Sequence, residues 1–306
     1  MKRRRRSGWS RIVGVSAQSL PSVEPFIQKQ SLAGTACGER TEETKECVET
    51  LWLPRERTAR GPLILVNRQR PLWEGWETDL VSWEGAWEPL SHGTRRPFLL
   101  ERETARMLQF VLCSLSLTGE IKLVSGYRQR QEQQQLYASS LVEHGEVFTR
   151  SYVAIPGCSE HETGLAVDLG EAGEETDYIR PSFPYEGNCQ RFRQKAVSCG
   201  FVERYQKEKR GYTHIQAEPW HFRYVGIPHA RIMEEQDLCL EEYLEFLKGF
   251  PEGEEPFLWQ EECWEFRISY QRAEEGETPI QVPANQLYRI SGDNQGGFIK
   301  TVWRRI

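Results

Sequence analysis

The chain has 306 residues, 38% of them hydrophobic and 27% charged, with 10 Trp, 11 Tyr and 13 Phe. That apolar and aromatic load excludes wholesale disorder, and no run approaches about 18 apolar residues, which excludes a transmembrane helix. The 39 basic and 45 acidic residues leave a net charge of −6, with no general pull on nucleic acid.

The opening Met1-Lys-Arg-Arg-Arg-Arg6 looks like the basic start of a secretory signal. Ser7, Gly8, Ser10 and Arg11 break the apolar stretch that such a signal requires. Export and retention in the cytoplasm therefore both stay open. A basic arm for nucleic acid or anionic lipid is the lesser alternative. Residues 17–60 are polar, with Pro21, Pro25 and the charged run Glu39–Glu49, so 1–60 reads as an extension, its later part a tail or linker. Eight cysteines without a Cys-x-x-Cys pair remove the zinc-ribbon and thioredoxin-like readings. Cys37 and Cys47 allow a bridge without showing one.

From Gly61 helical and strand patterns interleave without βαβ regularity, which predicts an α+β domain over 61–250. Leu63–Val66 is a short apolar run with the character of a buried strand. Leu99–Leu117 has helical spacing. Ile121–Val124 reads as a strand running into Ser125-Gly-Tyr-Arg128, and Gln129–His144 as a Gln-rich helix. Leu165–Leu169 is an apolar strand with Asp168 inside it. Asn188–Cys199 reads as a helix stopped by Gly200, and Pro219–Val225 as an aromatic-rich strand. Asp237–Lys248 has helical apolar spacing, with Asp237 placed as N-cap and Gly249 as the stop. Between Glu234 and Glu265 there are 12 acids against one Lys, and the acids of the helix read as its solvated face. Cys113 and Cys239 fall in apolar helical patterns and are expected to be buried thiols. Pro251–Pro256 reads as a linker, and 257–306 as a small C-terminal all-β module with segments Cys263–Tyr270, Thr278–Val282, Leu287–Ile290 and Phe298–Trp303.

Two of the six histidines have companions that point to chemistry. His161 precedes Asp168 by seven residues, and a lone carboxylate in an apolar strand is costly unless something neutralises it. His221 stands in Glu218-Pro-Trp-His221, where Pro219 forbids a helix and the extended chain suits one group as ligand and the other as base. His161, Asp168 and His221 together offer N, O and N ligation with one position open, the form of a catalytic zinc site. Glu218 is then free to move a proton. Spacing alone leaves a buried charge network without metal equally open. His161-Glu162 starts like the zincin His-Glu-x-x-His but lacks the second His. Arg128, at a strand end, is suited to donate to a carbonyl oxygen as it gains charge.

Ser125-Gly-Tyr-Arg128, Ser159-x-His-x-x-Gly-x-Ala-x-Asp168 and Glu218-Pro-Trp-His-Phe-Arg-Tyr-Val-Gly226 occur in this order with fitting gaps. In this the chain resembles the VanY-type D-alanyl-D-alanine carboxypeptidases, zinc peptidases related to VanX and VanXY, over roughly residues 61–249. The resemblance implies a small α+β fold shared with hedgehog-type zinc domains, with Zn²⁺ held by His161, Asp168 and His221. It implies Glu218 as catalytic base and Arg128 as donor to the oxyanion. Ser159 matches a position that helps hold the substrate's terminal carboxylate, and Gln133 the family's glutamine after the Tyr-Arg pair. Tyr127 and Trp220, inside the same motifs, are expected as further substrate contacts. The implied partner is a peptidoglycan stem peptide or precursor ending in D-Ala. L,D-carboxypeptidase, dipeptidase and non-catalytic wall-binding readings of the same fold remain as alternatives.

Overall fold

The computed structural model describes residues 47–306 except 74, 90–94 and 174–176. The basic opening, Pro21, Pro25, Cys37 and most of the charged run lie outside the described residues.

At the centre stands a four-stranded antiparallel sheet, β4 (Ile121–Ser125), β5 (Ala166–Glu171), β6 (Phe201–Tyr205) and β7 (Glu218–Tyr224), in the order β4-β5-β7-β6. Strand alternation assigns its two faces. Val167 and Leu169 of β5 and Trp220, Phe222 and Tyr224 of β7 turn into a core. That core also holds Met107, Leu108 and Val111 of α1 (Arg102–Ser114) and Phe192 and Ala196 of α3 (Gly187–Val197). Asp168, His221 and Arg223 therefore share the opposite face. One part of that face is covered by a second core, which joins Val202 to α5 (His229–Glu235) and α6 (Leu240–Leu247). The remainder carries the polar residues of the candidate site.

The hairpin β2 (Leu80–Pro89) and β3 (Arg95–Glu101) precedes α1 and was not anticipated; it takes Leu99–Glu101 from the predicted helix. The Glu101 side chain instead caps α1, accepting from the Glu103 and Thr104 amides at 3.0 and 2.8 Å. The Gln-rich helix, α2 (Arg130–Tyr152), runs past His144 across a kink at Gly145, whose φ of 79° is left-handed. α4 (Arg210–Thr213) is a single turn.

Leu63–Val66 is buried but forms no ladder. Leu63 and Leu65 enter the second core, while Ile64 and Val66 enter the first. Backbone groups there go to side chains and a loop rather than to a strand: Arg223 donates to the Ile64 carbonyl at 2.9 Å, and the Leu65 amide donates to Asp293 O at 3.1 Å.

Asp237 caps no helix. It sits at φ 50° in the turn before α6, whose N-cap is Cys239, closed by Glu242 accepting from the Cys239 amide at 3.0 Å. Cys239 is buried as expected, but Cys113 is exposed because it falls on the outer face of α1.

The C-terminal sheet, β8 (Phe257–Glu261), β9 (Trp264–Arg272), β11 (Leu287–Gly292) and β12 (Gly297–Arg305), has the order β11-β12-β9-β8. Trp259, Phe266, Ile268, Ile299 and Trp303 pack into the same core as α5 and α6. The stretch expected as a linker is tied down as well. Pro251 bridges to Tyr270, and Glu252 accepts from Ser269 and Lys300, each at 2.5 Å. Arg289 of β11 reaches Glu103 of α1 at 2.6 Å. Residues read as tail supply β1 (Val48–Pro54), which pairs antiparallel with β10 (Glu277–Pro283). Among the described residues no helix is long and apolar enough to cross a membrane.

Candidate metal and catalytic site

Asp168 lies in the middle of β5, directly opposite Ser125 of β4 and His221 of β7. A register shift between Leu123 and Ser125 re-aims the end of β4, and the chain then passes through Gly126 to Arg128. A Cβ at position 126 would meet Leu99 O at 2.4 Å, so only glycine lets the backbone approach β3 this closely. The freed Gly126 carbonyl accepts from His161 Nδ1 at 2.7 Å. His161 itself sits in a 3-10 turn, Glu160–Thr163, ended by Gly164 at φ 75°. Glu162 pins that turn, accepting from the Gly157 amide at 2.7 Å and pairing with Arg130 at 3.2 Å.

His161 Nε2 is 3.1 Å from Asp168 Oδ2, and His221 Nδ1 is 2.9 Å from Asp168 Oδ1. His221 Nε2 meets Glu160 Oε2 at 3.2 Å. This pattern tests whether a cation fits. Nδ1 of His161 and Nε2 of His221 each face an oxygen that can only accept, so in the neutral rings these atoms carry the N–H. The remaining nitrogens then turn lone pairs toward the Asp168 carboxylate, an arrangement that needs either extra protons or a positive ion between them. The donor atoms of His161, Asp168 and His221 lie within 4.8 Å of one another, and all three residues are buried. Two imidazole nitrogens and a carboxylate oxygen suit a borderline divalent ion. The residues fit a metal.

Burial opposes ionisation of Asp168, but the two imidazoles outweigh it and hold its pKa far below the usual carboxylate range. Burial pulls His221 down, while its bonds to Asp168 and Glu160 carry it up to about 10. Glu218 is the contrary case. Its Oε2 is 3.9 Å from His221 Nδ1, and burial, reinforced by Asp168 and Glu160, pushes its pKa up to about 8. A carboxyl group with that affinity for a proton, beside a metal position, is equipped as a general base and acid.

Arg128 is braced rather than solvated. It donates from Nη1 to Gln133 Oε1 at 2.7 Å and from Nη2 to Ser125 Oγ at 2.8 Å. Gln133, expected at the substrate, is 1% exposed, with its amide nitrogen bonded to Ala154 O at 2.7 Å. The amide holds Arg128 from its oxygen and the chain beyond α2 from its nitrogen. Trp220, also expected at the substrate, points into the main core because it alternates with His221 along β7. Ser159 is buried two residues before His161. Tyr127 is half-buried, its amide bonded to Leu99 O at 2.7 Å.

Three site residues carried no recognised signal in the sequence. Glu160 stands unremarked inside the second motif, Arg223 two positions after His221, and Arg204 in β6. Their side chains are at most 1% exposed. Arg204 Nε bonds Glu160 Oε1 at 2.8 Å, and Arg223 Nη1 stands 2.9 Å from the same oxygen, an ion pair outside hydrogen-bond geometry. Burial would raise the pKa of Glu160, but the two guanidinium groups and His221 hold it far below the usual range. The only unusual feature of sequence was two charges in the otherwise apolar strand Phe201-Val-Glu-Arg-Tyr205.

A mixed sheet-and-helix domain with a two-His, one-Asp donor set and a buried glutamate beside it is of metallopeptidase type. The D-alanyl-D-alanine carboxypeptidase family VanY matches residues 99–227. The bifunctional D-Ala-D-Ala dipeptidase and D-Ala-D-Ala carboxypeptidase VanXYC of Enterococcus gallinarum is 42% identical over 186 residues, 60% of this chain and 94% of that protein. A D-alanyl-D-alanine carboxypeptidase of Enterococcus faecium is 30% identical over 281 residues, covering 90% of this chain and 84% of its own length. The crystal structure of the vancomycin resistance D,D-dipeptidase VanXYg, in complex with a D-Ala-D-Ala phosphinate analog, is similar at TM-score 0.78 and 41% identity. That likeness covers 84% of this chain and 100% of the other. The chain belongs to the VanY family.

Proposed function

We propose that this protein is a zinc carboxypeptidase that removes the terminal D-Ala from peptidoglycan stem peptides or their precursors. The observation that carries the reading is the convergence of His161 Nε2, Asp168 and His221 Nδ1, each imidazole fixed from behind by an acceptor, with Glu218 beside them. His161, Asp168 and His221 would hold a zinc ion, which when bound would supply a Lewis-acid centre and lower the pKa of a water there. Glu218, buried and holding its proton tightly once acquired, receives that water's proton at a carboxylate oxygen and returns it to the leaving amine. Arg128, fixed by Ser125 and Gln133, donates to the carbonyl oxygen as it becomes an oxyanion. Ser159 and Tyr127 remain the candidates for contact with the substrate's end. Gln133 acts through Arg128.

A second activity, D-Ala-D-Ala dipeptidase, is favoured by the dipeptidase function named for two of the similar proteins. The test is D-Ala release from a pentapeptide ending in D-Ala-D-Ala, a tetrapeptide with an L,D terminal bond, and the free dipeptide, with chelator and after zinc is restored. Release from the pentapeptide that disappears with chelator and returns with zinc is expected. Release indifferent to chelator, or none from any of the three, refutes the reading. The cell envelope is the proposed place of action and the cytoplasm the alternative, which cell fractionation decides.

A further inference from the structure

The two histidines of the site are not held alike. Behind His161 stands a neutral peptide carbonyl, Gly126 O, at 2.7 Å. Behind His221 stands a carboxylate, Glu160, at 3.2 Å. That carboxylate has no exposed surface, and its charge is balanced by Arg204 and Arg223. Arg204 spends its other two nitrogens on Glu241 of α6, at 2.9 and 2.7 Å. Arg223 spends Nη2 on the carbonyls of Pro62 and Ile64, at 3.0 and 2.9 Å. A line of alternating charge, Glu241, Arg204, Glu160, thus runs from α6 through the floor of the sheet to the back of one imidazole.

We propose that Glu160 is a positioning residue for His221: it fixes the ring so that Nδ1 faces the metal and makes that nitrogen the stronger donor of the two. A carboxylate on the far nitrogen of a ligating imidazole locks its tautomer and raises its basicity, and losing such a partner weakens metal binding by roughly 10–100-fold. Arg204 and Arg223 flank Glu160 at 2.8 and 2.9 Å and fix its place behind the ring. The proposal rests on the zinc reading above.

Glu160→Gln is the decisive change, because it removes the charge and leaves one acceptor oxygen where His221 Nε2 and Arg204 Nε each had their own, while Arg204 keeps Glu241. Zinc affinity, read by competition with a chromophoric chelator on the folded protein, is expected to fall by about 10–100-fold. A purely structural Glu160 would lower the melting temperature yet leave the zinc dissociation constant within threefold of the parent, and that result overturns the proposal. The parent protein gives a second reading that needs no variant to fold. In zinc-loaded protein labelled with ¹⁵N-histidine, with the signals of the third buried ring, His229, identified by their loss in His229→Gln, long-range correlations should show His161 protonated on Nδ1 and His221 protonated on Nε2. Both rings protonated on Nδ1 would place the two ligands the same way round and overturn the role of Glu160. If the parent binds no zinc at all, the zinc reading itself fails, an outcome separate from the other two.

Discussion

Glu218→Gln should make the metal-free protein more stable while abolishing its chemistry. Glu218 has an ordinary pKa of 4.5 and is raised by burial to about 8 in the fold. Between those values the unfolded chain releases a proton that the folded chain keeps. The unfolded state then binds fewer protons, and stability falls as pH rises. At pH 7 the loss is about 2.5 pH units at roughly 1.4 kcal/mol each, or about 3 kcal/mol; at pH 5 it is under about 1 kcal/mol. Glutamine has the same shape and no proton to lose, so it escapes this penalty. Chelator-treated Glu218→Gln should therefore resist urea better than chelator-treated parent by an amount that grows from pH 5 to pH 8. Turnover of the zinc-loaded variant should fall by about 10²–10⁴-fold with the zinc retained. The assay is a pair of urea titrations at each pH, with zinc content measured alongside. If parent and variant unfold at the same midpoint at pH 8, the carboxyl group is not strained by burial, and the physical ground for its role as base is lost.

Replacing either imidazole ligand, in His161→Ala or His221→Ala, should remove stoichiometric zinc, whereas His144→Ala, on the outside of α2, should not; metal analysis of the purified proteins decides. Arg128→Ala should lower the turnover number more than it raises the Michaelis constant, by about 3–4 kcal/mol in transition-state stabilisation. Gln133→Ala, which only loosens the guanidinium, should give a smaller loss of the same kind in the same kinetics. His229 is a buried, neutral imidazole between the hydroxyls of Tyr243 and Thr301, at 2.8 and 3.1 Å, with its pKa lowered from 6.5 to about 3 by burial and Arg289. The unfolded state takes up its proton first, so this group costs about 2 kcal/mol of stability at pH 5 and nothing above pH 7. In urea titrations His229→Gln should flatten that part of the acid dependence.

The candidate donor set His161, Asp168 and His221, and with it Glu218 and Arg128, is legible because each is a polar residue at a fixed place in a short motif, and strand register brings the motifs together. Asp168 and His221 face each other across β5 and β7 because both motifs lie on strands. What stayed hidden depends on partners far along the chain. Glu160 gains its meaning from Arg204, 44 residues later, and from His221, 61 later. Motif membership does not say which face of an element a side chain takes: packing turns Trp220 into the main core and sets Gln133 between Arg128 and Ala154. The strand at 48–54 is not legible in the sequence because its exposed positions, Val48 and Trp52 among them, hide the period of two. Pro251–Pro256 has the composition of a linker, yet β9 and β12 supply groups to hold it.

The ribbon Leu63–Val66 acts as a rivet, with alternate side chains driven into two different cores. Each core on its own would be a candidate for separate melting, but neither can loosen without disturbing the two side chains that the same ribbon places in the other. Stabilisation gained where a ligand binds on the central sheet is thereby shared with the C-terminal sheet. A cut near residue 250 would not release a tidy enzyme from an ornament. It would leave Met233, Tyr243, Leu244 and Leu247 facing water in place of Trp259, Phe266 and Trp303.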